Sequence, residues 1–472
     1  MKKVTVTNFL IVLMLLITGK VEVTAKNAYA AFNVDKSTLT FYYDDQKSVR
    51  QGMTIEPYLI FDDMVLTSYE WEDDVKKVQS VVIDKSFADF QDLKYTTMWF
   101  ANMKNLTSIT GLENINTSNV VDMSYMFANT ALETIDVSHF DTRNVTNMTC
   151  MFMGTQIKDI DVSHFDTKNV TNMSYMFINT QIKAIDVNNF DTSKVGDMSF
   201  MFAKCKDLEE IDLENWNVGN VKTFDAMFMG CNSIKKINLG DFDARKATTT
   251  NAMFEGCVSL EQLDISNFRT LDINMAENMF SLCEKLKSLD FSAWNTPNLE
   301  DIGAMFVGCK SLENVDVSSF NTSKCTMLGG MFTGCTSLKT IDISNFDTSS
   351  MTSCEYMFDG CKSLTTIYVS EMWTTSKVET TRGLGVFMDC VNLIGGNGTK
   401  YDKNHFHYDY ARIDGKDNLP GYFTYKDPTS VKGLKTSANV GNGQWYTING
   451  CRIDKPTKRG VYIRDGKKTI IK

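Results

Sequence analysis

The sequence is short of proline and of positive charge, and each shortage excludes a class of protein. Only 5 of its 472 residues are proline, so no long proline-rich linker divides the chain. The formal net charge of -10 argues against a nucleic-acid-binding surface, which needs a basic stripe. Hydrophobic residues make up 43% and charged residues 22%, which is typical of a folded chain rather than a disordered one.

Histidine and the common catalytic motifs are also scarce. His139 and His164 occupy equivalent positions, and His405 and His407 share one strand face. Either pair suits a metal, but we expect surface roles. No serine elbow, zinc-binding helix, phosphate loop or dinucleotide glycine pattern is present. Paired carboxylates recur along the chain instead of occurring once. We therefore predict no enzymatic activity and no metal or other cofactor.

Long apolar runs are absent as well. Near the N-terminus, Phe9–Ile17 is apolar but too short to cross a bilayer. Two lysines precede it, and Ala28-Tyr29-Ala30 fits a small-x-small cleavage site. This pattern predicts a signal peptide over residues 1–30 with cleavage before Ala31, and an uncleaved anchor is the alternative. No later segment reaches transmembrane length, so we expect no membrane helix in the mature chain.

What the sequence has in abundance is an internal repeat. The dipeptide Met-Phe recurs at a step of 25 residues at first and of 26 residues from Phe202 onward. Variant copies occur at Trp99-Phe100 and at Val386-Phe387. The regular copies place phenylalanine at Phe127, Phe152, Phe177, Phe202, Phe228, Phe254, Phe280, Phe306, Phe332 and Phe358.

The first half of each unit alternates polar and apolar residues. In the unit 331–356, Thr340–Ser344 predicts a short strand with Ile341 and Ile343 facing the core. Ile135-Asp136-Val137, Ile185-Asp186-Val187 and Val315-Asp316-Val317 predict the same strand in other units.

The second half of each unit changes its period. Val145, Met148, Met151 and Phe152 are spaced as one face of a short helix or helical turn. Thr142 and Thr167 precede this face and its equivalent in the next unit, where a hydroxyl caps free N–H groups. In many units a glycine follows, as is common where a helix ends.

One unit cannot fold alone. Its roughly six inward side chains contribute ~1.5–3 kcal/mol each, whereas ordering the backbone costs ~1–2 kcal/mol per residue. Stacked units share their faces, so the repetition predicts a solenoid. The predicted fold is an α/β repeat solenoid, a leucine-rich-repeat-like stack of 25–26-residue strand and short-helix units with a parallel β-sheet face.

Small β-rich modules are expected at both ends of the solenoid. The predicted divisions are an N-terminal β-rich cap at 31–93, the solenoid at 94–395, a closing cap at 396–426 and a C-terminal β module at 427–472. The extra residue of the longer units lies before the strand, because Phe127 and Asp136 are nine residues apart while Phe202 and Asp212 are ten apart.

The unit resembles the repeat of the BspA-like leucine-rich repeat family of bacterial surface proteins. The matching motif is Met-Phe-x-Gly-Cys-x-Ser-Leu-x-x-Ile-Asp-x-Ser-x-Phe-Asp-Thr, seen at 331–348 and imperfectly at 305–322. The segments 39–44 and 420–424 look like flanking parts of the same proteins. The resemblance implies a leucine-rich-repeat fold and adhesion to host matrix proteins or to other cells.

The C-terminal segment has a different pattern. Residues 445–450, 455–463 and 466–472 alternate and turn like a small β-sandwich. They resemble the sorting domain of Bacteroidetes type IX secretion substrates, which implies export to the exterior of the outer membrane. Cys451 departs from that domain's usual arginine or glutamine. A plain β-rich module is the alternative.

Cysteine recurs three residues after the repeat phenylalanine, where the earliest units carry threonine. These cysteines are Cys205, Cys231, Cys257, Cys283, Cys309, Cys335, Cys361 and Cys390. A buried free thiol suits this position as a small hydrophobe. Disulfides between neighbouring units are the alternative, since stacked strands place Cα atoms at a permitted distance. We expect buried thiols.

Aspartate recurs on the outward face of the predicted strands. The set, which we name the Asp row, comprises Asp136, Asp161, Asp186, Asp212, Asp264, Asp290, Asp316 and Asp342. Asn238 interrupts it. Adjacent like charges repel, so either calcium or neighbouring hydroxyls such as Ser138 and Ser344 should offset the repulsion. We expect hydroxyls, and we predict that the Asp row contacts a partner.

These features together predict an exported surface protein that recognises partners along the strand face of a solenoid. The expected partners are host extracellular-matrix or cell-surface proteins, or other bacterial cells, and not nucleic acid. A structural surface-layer component and a carbohydrate-binding module are the alternatives. A carbohydrate binder would expose aromatic platforms, but repeat aromatics such as Phe346 and Trp294 are expected in the core.

Overall fold

A computed structural model describes residues 26–54, 72–427, 445–447, 452–453, 460–464 and 467–471. The predicted signal segment therefore lies largely outside the described residues. The first described elements are β1 (Asn27–Phe32), β2 (Thr38–Asp44), β3 (Met53–Thr54), the helix α1 (Glu72–Val75), β4 (Ser80–Ile83) and β5 (Ser108–Thr110).

The first five strands form one sheet in the order β3-β1-β2-β4-β5, in which β5 lies within the predicted solenoid. The hairpin β1–β2 is antiparallel, whereas β2, β4 and β5 pair in parallel, as solenoid strands do. Short 3-10 helices follow β4 and β5 at Lys85–Asp89 and Leu112–Asn114. The cap therefore joins the solenoid through a shared sheet.

The predicted cleavage point before Ala31 falls inside β1. Tyr29 and Ala30 are buried there, and the Tyr29 hydroxyl lies 2.6 Å from Oδ1 of Asp44. Cleavage before Ala31 would remove two thirds of the strand. The first described strand therefore begins at Asn27, four residues before the predicted start of the mature chain.

Phenylalanine rings form the axis of the solenoid. From Phe100 to Phe387, twelve buried rings stack in sequence with neighbouring centroids 5.4–5.9 Å apart. All but the first pair lie within 13° of parallel. The repeat dipeptide therefore marks a continuous hydrophobic core, and the predicted solenoid with parallel strands is confirmed.

No continuous helix forms in the described units at the position predicted for a short helix or helical turn. Overlapping turns occupy its place. The amides of Met123, Tyr125 and Phe127 donate to carbonyls of the following unit at 2.9–3.0 Å. The intervening amides of Met126 and Ala128 donate three residues back within their own unit. Alternate residues thus join the units together, which a helix cannot do because all its bonds are internal.

Backbone geometry explains the error. Each unit has one positive-φ residue two positions before its stacking ring and another two positions after it, such as Tyr125 (φ 56°) and Asn129 (φ 57°). A right-handed helix requires negative φ throughout, so these residues interrupt it. In several units glycine occupies the second position, as at Gly256 with φ +72°. The glycines taken as helix ends are turn residues.

The strands of the solenoid are confined mainly to the longer units. They are β6 (Glu210–Asp212), β7 (Lys236–Asn238), β8 (Ser288–Asp290), β9 (Asn314–Asp316), β10 (Thr340–Asp342) and β11 (Thr366–Val369). All pair in parallel, β6 with β7, β8 with β9 and β10 with β11. The sheet face is therefore built from separate pieces.

The predicted strands at Ile135–Val137 and Ile185–Val187 do not form. These units have the shorter connection before the strand position. Between the units of Ile135 and Ile160, a backbone hydrogen bond of 3.3 Å joins Lys158 N to Glu133 O. The longer unit containing Asp264 also lacks a strand. There a bridge between Asp243 and Arg269 links the neighbouring units instead.

A column of isolated parallel bridges runs continuously along another side of the solenoid. It passes through the residues Tyr95, Asp122, Asn147, Asn172, Asp197, Thr223, Thr249, Met275, Asp301, Met327 and Ser353, which we name the bridge column. Short and long units take part equally. The bridge column, together with the ring stack, is therefore the element that all these units share.

The C-terminal end of the solenoid is closed by one more strand. The strand β12 (Phe423–Tyr425) pairs in parallel with β11, within the predicted closing cap. The 3-10 helices of this region span Thr380–Arg382, Tyr408–Tyr410 and Lys416–Asn418.

The last described strands form a separate antiparallel sheet. They are β13 (Trp445–Thr447), β14 (Arg452–Ile453), β15 (Gly460–Arg464) and β16 (Lys467–Ile471), in the order β14-β13-β15-β16. Cys451, which departs from the usual residue of the sorting domain that this segment resembles, lies outside the described residues.

Candidate recognition surface

The Asp row is held in place by the backbone. Each carboxylate accepts a hydrogen bond of 2.8–3.2 Å from the amide two residues further on. This is the local contact by which aspartate stabilises a turn. All members but Asp342 are exposed. The row therefore presents fixed carboxylates to solvent.

Neighbouring hydroxyls reduce the repulsion within the row. The side chain of Ser138 and then its amide lower the pKa of Asp136. Ser163 and Ser266 lower the pKa of Asp161 and Asp264 in the same way. The hydroxyl of Ser344 donates to Asp342 at 2.7 Å. The predicted relief by hydroxyls is therefore seen at these members of the row.

The row is broken at one place and covered at its end. The side-chain amide of Asn238 donates to Oδ1 of Asp212 at 2.8 Å. This bond links two units through a neutral side chain. Lys426 of the closing cap forms an ion pair with Asp342. Burial alone would raise the pKa of Asp342, but Lys426 and Ser344 outweigh it and lower the pKa. Asp342 is therefore less open to a partner than the other seven.

The histidines contact protein groups. His164 Nε2 lies 2.7 Å from the carbonyl oxygen of Val137. His407 Nδ1 accepts the amide of Gly385 at 3.0 Å, and His405 stacks on Tyr410. Within the described residues, no group of three or more histidine, cysteine, aspartate or glutamate side chains could hold a metal ion.

The cysteines form a buried column. All described cysteines are free and buried. At the repeat position, each thiol from Cys205 to Cys390 donates to the carbonyl of the stacking phenylalanine of the preceding unit, at 2.9–3.4 Å. Burial raises the pKa of Cys205 to about 11. The thiols thus have the packing role that was predicted for them.

A second buried column consists of threonines. Thr142 accepts the amide of Asp166 in the next unit at 2.8 Å and donates to its carbonyl oxygen at 3.1 Å. Thr167 donates to Asp191 in the same way. The predicted capping role is therefore wrong, because these hydroxyls join neighbouring units.

Sequence reasoning missed the polar side chains of the bridge column. Asn147 donates to Asp122 Oδ2 at 3.0 Å, while Asp122 Oδ1 accepts the Ser124 amide at 2.7 Å. A recurring signal was present, because aspartate or asparagine precedes methionine in Val121-Asp122-Met123 and in Thr146-Asn147-Met148. The helical interpretation of that segment concealed it.

The fold defines the chain as a leucine-rich-repeat-like solenoid. The family model described as "Mycoplasma protein of unknown function, DUF285" matches residues 94–208, 178–289 and 274–392, which together exceed half of the chain. The chain therefore belongs to this family. The matched residues coincide with the stacked units of the solenoid.

The chain is similar to two leucine-rich repeat proteins of known structure. A leucine-rich repeat protein from Bacteroides ovatus matches with a TM-score of 0.40 and 16% identity, over 78% of this chain and 92% of that chain. One from Eubacterium ventriosum matches with a TM-score of 0.37 and 17% identity, over 75% and 94% of the two chains. No curated protein matches. None of the described helices is long and apolar enough to span a membrane.

Proposed function

We propose that the chain is an exported recognition protein that binds protein partners along the Asp row. The observation that carries the proposal is the row of exposed carboxylates, each fixed by a backbone amide, which repeats at the same position in successive units. Fixed, regularly spaced charges favour a partner with matching positive groups. The proposed partners are host matrix or cell-surface proteins, or other bacterial cells.

The alternatives differ in what they require of the surface. A structural surface-layer component needs no specific ligand. A carbohydrate-binding module needs exposed aromatic platforms, whereas Phe346 and Trp294 are buried in the core as expected. This burial favours the recognition of proteins.

Export remains part of the proposal, with a changed cleavage point. Because β1 begins at Asn27, cleavage between Ala25 and Lys26, after Val23-Thr24-Ala25, leaves the cap intact. Amino-terminal sequencing of the secreted chain should begin at Lys26. A chain beginning at Ala31 would contradict this. Transfer to the outer-membrane exterior by the C-terminal module is proposed on the sorting-domain resemblance alone.

The test is saturable binding of the full mature chain to a panel of matrix proteins and bacterial cells, with and without a chelator. The double variant Asp264→Asn/Asp290→Asn removes two charges but keeps the turn, because Asn238 accepts the Gly240 amide from the same position at 3.2 Å. We expect about tenfold weaker binding, since each charge contributes about 0.5–1 kcal/mol.

Asp191→Asn is the matched control, because Asp191 makes the same contact with the Ser193 amide outside the Asp row. It should leave binding unchanged. A folded chain that binds no member of the panel would favour a structural role. Binding lost with the chelator alone would favour the calcium hypothesis.

A further inference from the structure

We propose that the junction between the cap and the solenoid binds an extended, lysine- or arginine-bearing segment of a partner by strand addition to β5. This inference rests on the proposed recognition function and deepens it, because it names one site and the chemistry of its partner. The argument depends on an interrupted sheet, an exposed apolar floor, an acidic rim and an unpartnered histidine atom.

The sheet of the cap stops at β5. Its next neighbour in the stack, the segment 132–138, forms no strand. In the described part of the chain, no backbone hydrogen bond joins Ser108–Thr110 to that segment. An edge strand leaves peptide groups available for pairing, and extended peptides bind proteins in this way.

An open groove of about 580 Å³ is lined by β5, by the segment 132–138 and by Asp159, Ile160 and Asp161 of the following unit. This volume is within the ~300–1,000 Å³ usual for binding sites. Ile109 and Ile135 line the groove and remain partly exposed. Their equivalents Ile211, Ile237 and Ile341 are 2–5% exposed in paired strands, and Ile160 and Ile185 are 6–9% exposed without one. The groove therefore has apolar surface that is buried at the same position in most other units.

The rim of the groove has one sign of charge. Glu113, Asp136, Asp159 and Asp161 line it, and no lysine or arginine does. None of the four belongs to an ion pair among the described residues. An occupant with alternating basic and apolar residues would place one set on the rim and the other on the floor, because strand side chains alternate.

His139 also lines the groove, and its buried Nε2 has no partner within the described structure. The equivalent His164 contacts the carbonyl oxygen of Val137 in the preceding unit at 2.7 Å, and Asn189 donates to that of Val162 at 3.2 Å. His139 belongs to the first unit of this series. An occupant of the groove would lie beside this ring.

The experiment measures the binding of a short peptide of alternating lysine and valine to the full mature chain by titration calorimetry. We expect saturable binding that weakens about tenfold in Asp136→Asn/Asp161→Asn, which keeps both turns. The matched double variant Asp191→Asn/Asp347→Asn should bind as the unaltered chain does, because these carboxylates make the same contact with the amides of Ser193 and Ser349 outside the Asp row and the groove. Equal affinity for all three chains, or no binding, would overturn the proposal.

Two further probes separate strand addition from simple charge attraction. The same peptide with alternate backbone N-methyl groups should lose most of its affinity, because the edge of β5 then lacks donors to pair with. The chain has only 4 histidines, so the NMR signal of the His139 imidazole can be followed. This signal should shift when the peptide saturates the groove. Unchanged binding of the methylated peptide, or an unshifted His139 signal, would overturn the proposal.

These outcomes are distinguishable from failure of the proposed function. If natural partners bind and respond only to the Asp264 and Asp290 variant, recognition lies along the Asp row and the groove proposal is wrong. If the peptide binds at the groove but no panel member binds, the groove proposal holds and the broader function fails.

Discussion

The three 25-residue units that begin at Phe127 and the 26-residue units that follow Phe202 differ on one face and share the rest. Both contribute rings to the central stack and residues to the bridge column. The short units carry Thr130, Thr155 and Thr180 where the long ones carry cysteine. The short units form no paired strands, while most long units do.

The difference shows which contacts a unit of this solenoid needs. The short units stack without strand pairing, and the ring stack, the bridge column and the threonine hydroxyls hold these neighbours together. Strand pairing is an additional contact, found in most of the units that have one extra residue in the connection before the strand position. The units without paired strands lie next to the groove, so the same difference produces the candidate binding site.

The first prediction tests whether the two kinds of unit share one core. Phe177→Ala and Phe254→Ala should each destabilise the chain by about 3–5 kcal/mol, because both rings are fully enclosed by stacked neighbours. Urea denaturation followed by fluorescence measures this loss. Phe177→Leu and Phe254→Leu serve as controls with smaller losses. A marked difference between the two alanine variants would show that the cores are not equivalent.

The second prediction concerns the face that differs. The amides of Leu213 and Ile343 donate to carbonyls of the next unit at 2.8 and 3.0 Å. Those of Val137 and Val162 have no such bond among the described residues, although all four side chains are buried. One hydrogen bond contributes about 1 kcal/mol, so hydrogen exchange should be roughly fivefold faster at the two valines. Equal rates would mean that the short units pair after all.

The sequence was sufficient for the features that depend on periodicity. The repeat, the enclosed phenylalanines and the outward aspartates follow from the spacing of side chains, and all are present. It was insufficient where backbone conformation decides. Steps of three and one between Val145, Met148, Met151 and Phe152 fit a helix and also fit overlapping turns. The positive φ of Cys150 excludes the helix and leaves the turns. A cysteine in the sequence does not predict a positive φ.

The Asp row shows the same limit. The alternation predicted that Asp136 faces outward, which it does without a strand, because the Ser138 amide fixes it. The end of the row depended on a contact far along the chain. Lys426 reaches Asp342 only because β12 pairs with β11, and no local pattern reveals that pairing.

The third prediction uses the pH dependence of stability to distinguish carboxylates of the long units from those of the short units. In the long units, burial and then the charge of Asp301 raise the pKa of Glu277, and burial raises that of Asp301. A carboxyl with a raised pKa binds its proton more tightly in the folded state, so stability should increase as pH falls from neutrality towards that pKa. For Asp136 and Asp161 the pKa is lowered, so their stabilisation is lost only below the unfolded value of about 3.9.

Asp301→Asn should therefore stabilise the chain at pH 7 and reduce the gain on mild acidification. The repeat provides the precedent, because Asn147 and Asn172 occupy the same column in short units. Asparagine also keeps an oxygen for the Gly303 amide, which Asp301 accepts at 2.8 Å. Thermal unfolding between pH 7 and pH 4 checks this. If Asp301→Asn leaves the pH dependence of stability unaltered, the ionised Asp301 carboxylate does not destabilise the folded chain.

The last prediction exchanges the residues that distinguish the two kinds of unit. Thr155 donates to the phenylalanine carbonyl of its own unit at 2.9 Å, whereas Cys231 donates to that of the preceding unit at 3.1 Å. Either side chain is small and finds an acceptor, so Thr155→Cys and Cys231→Thr should each change stability by less than about 1 kcal/mol. Cys231→Leu, which overfills the same space, should cost about 1–3 kcal/mol. If Cys231→Thr proves as damaging as Cys231→Leu, the long units require the bond that the thiol makes to the preceding unit. Threonine and cysteine would then be matched to unit length and not merely to size.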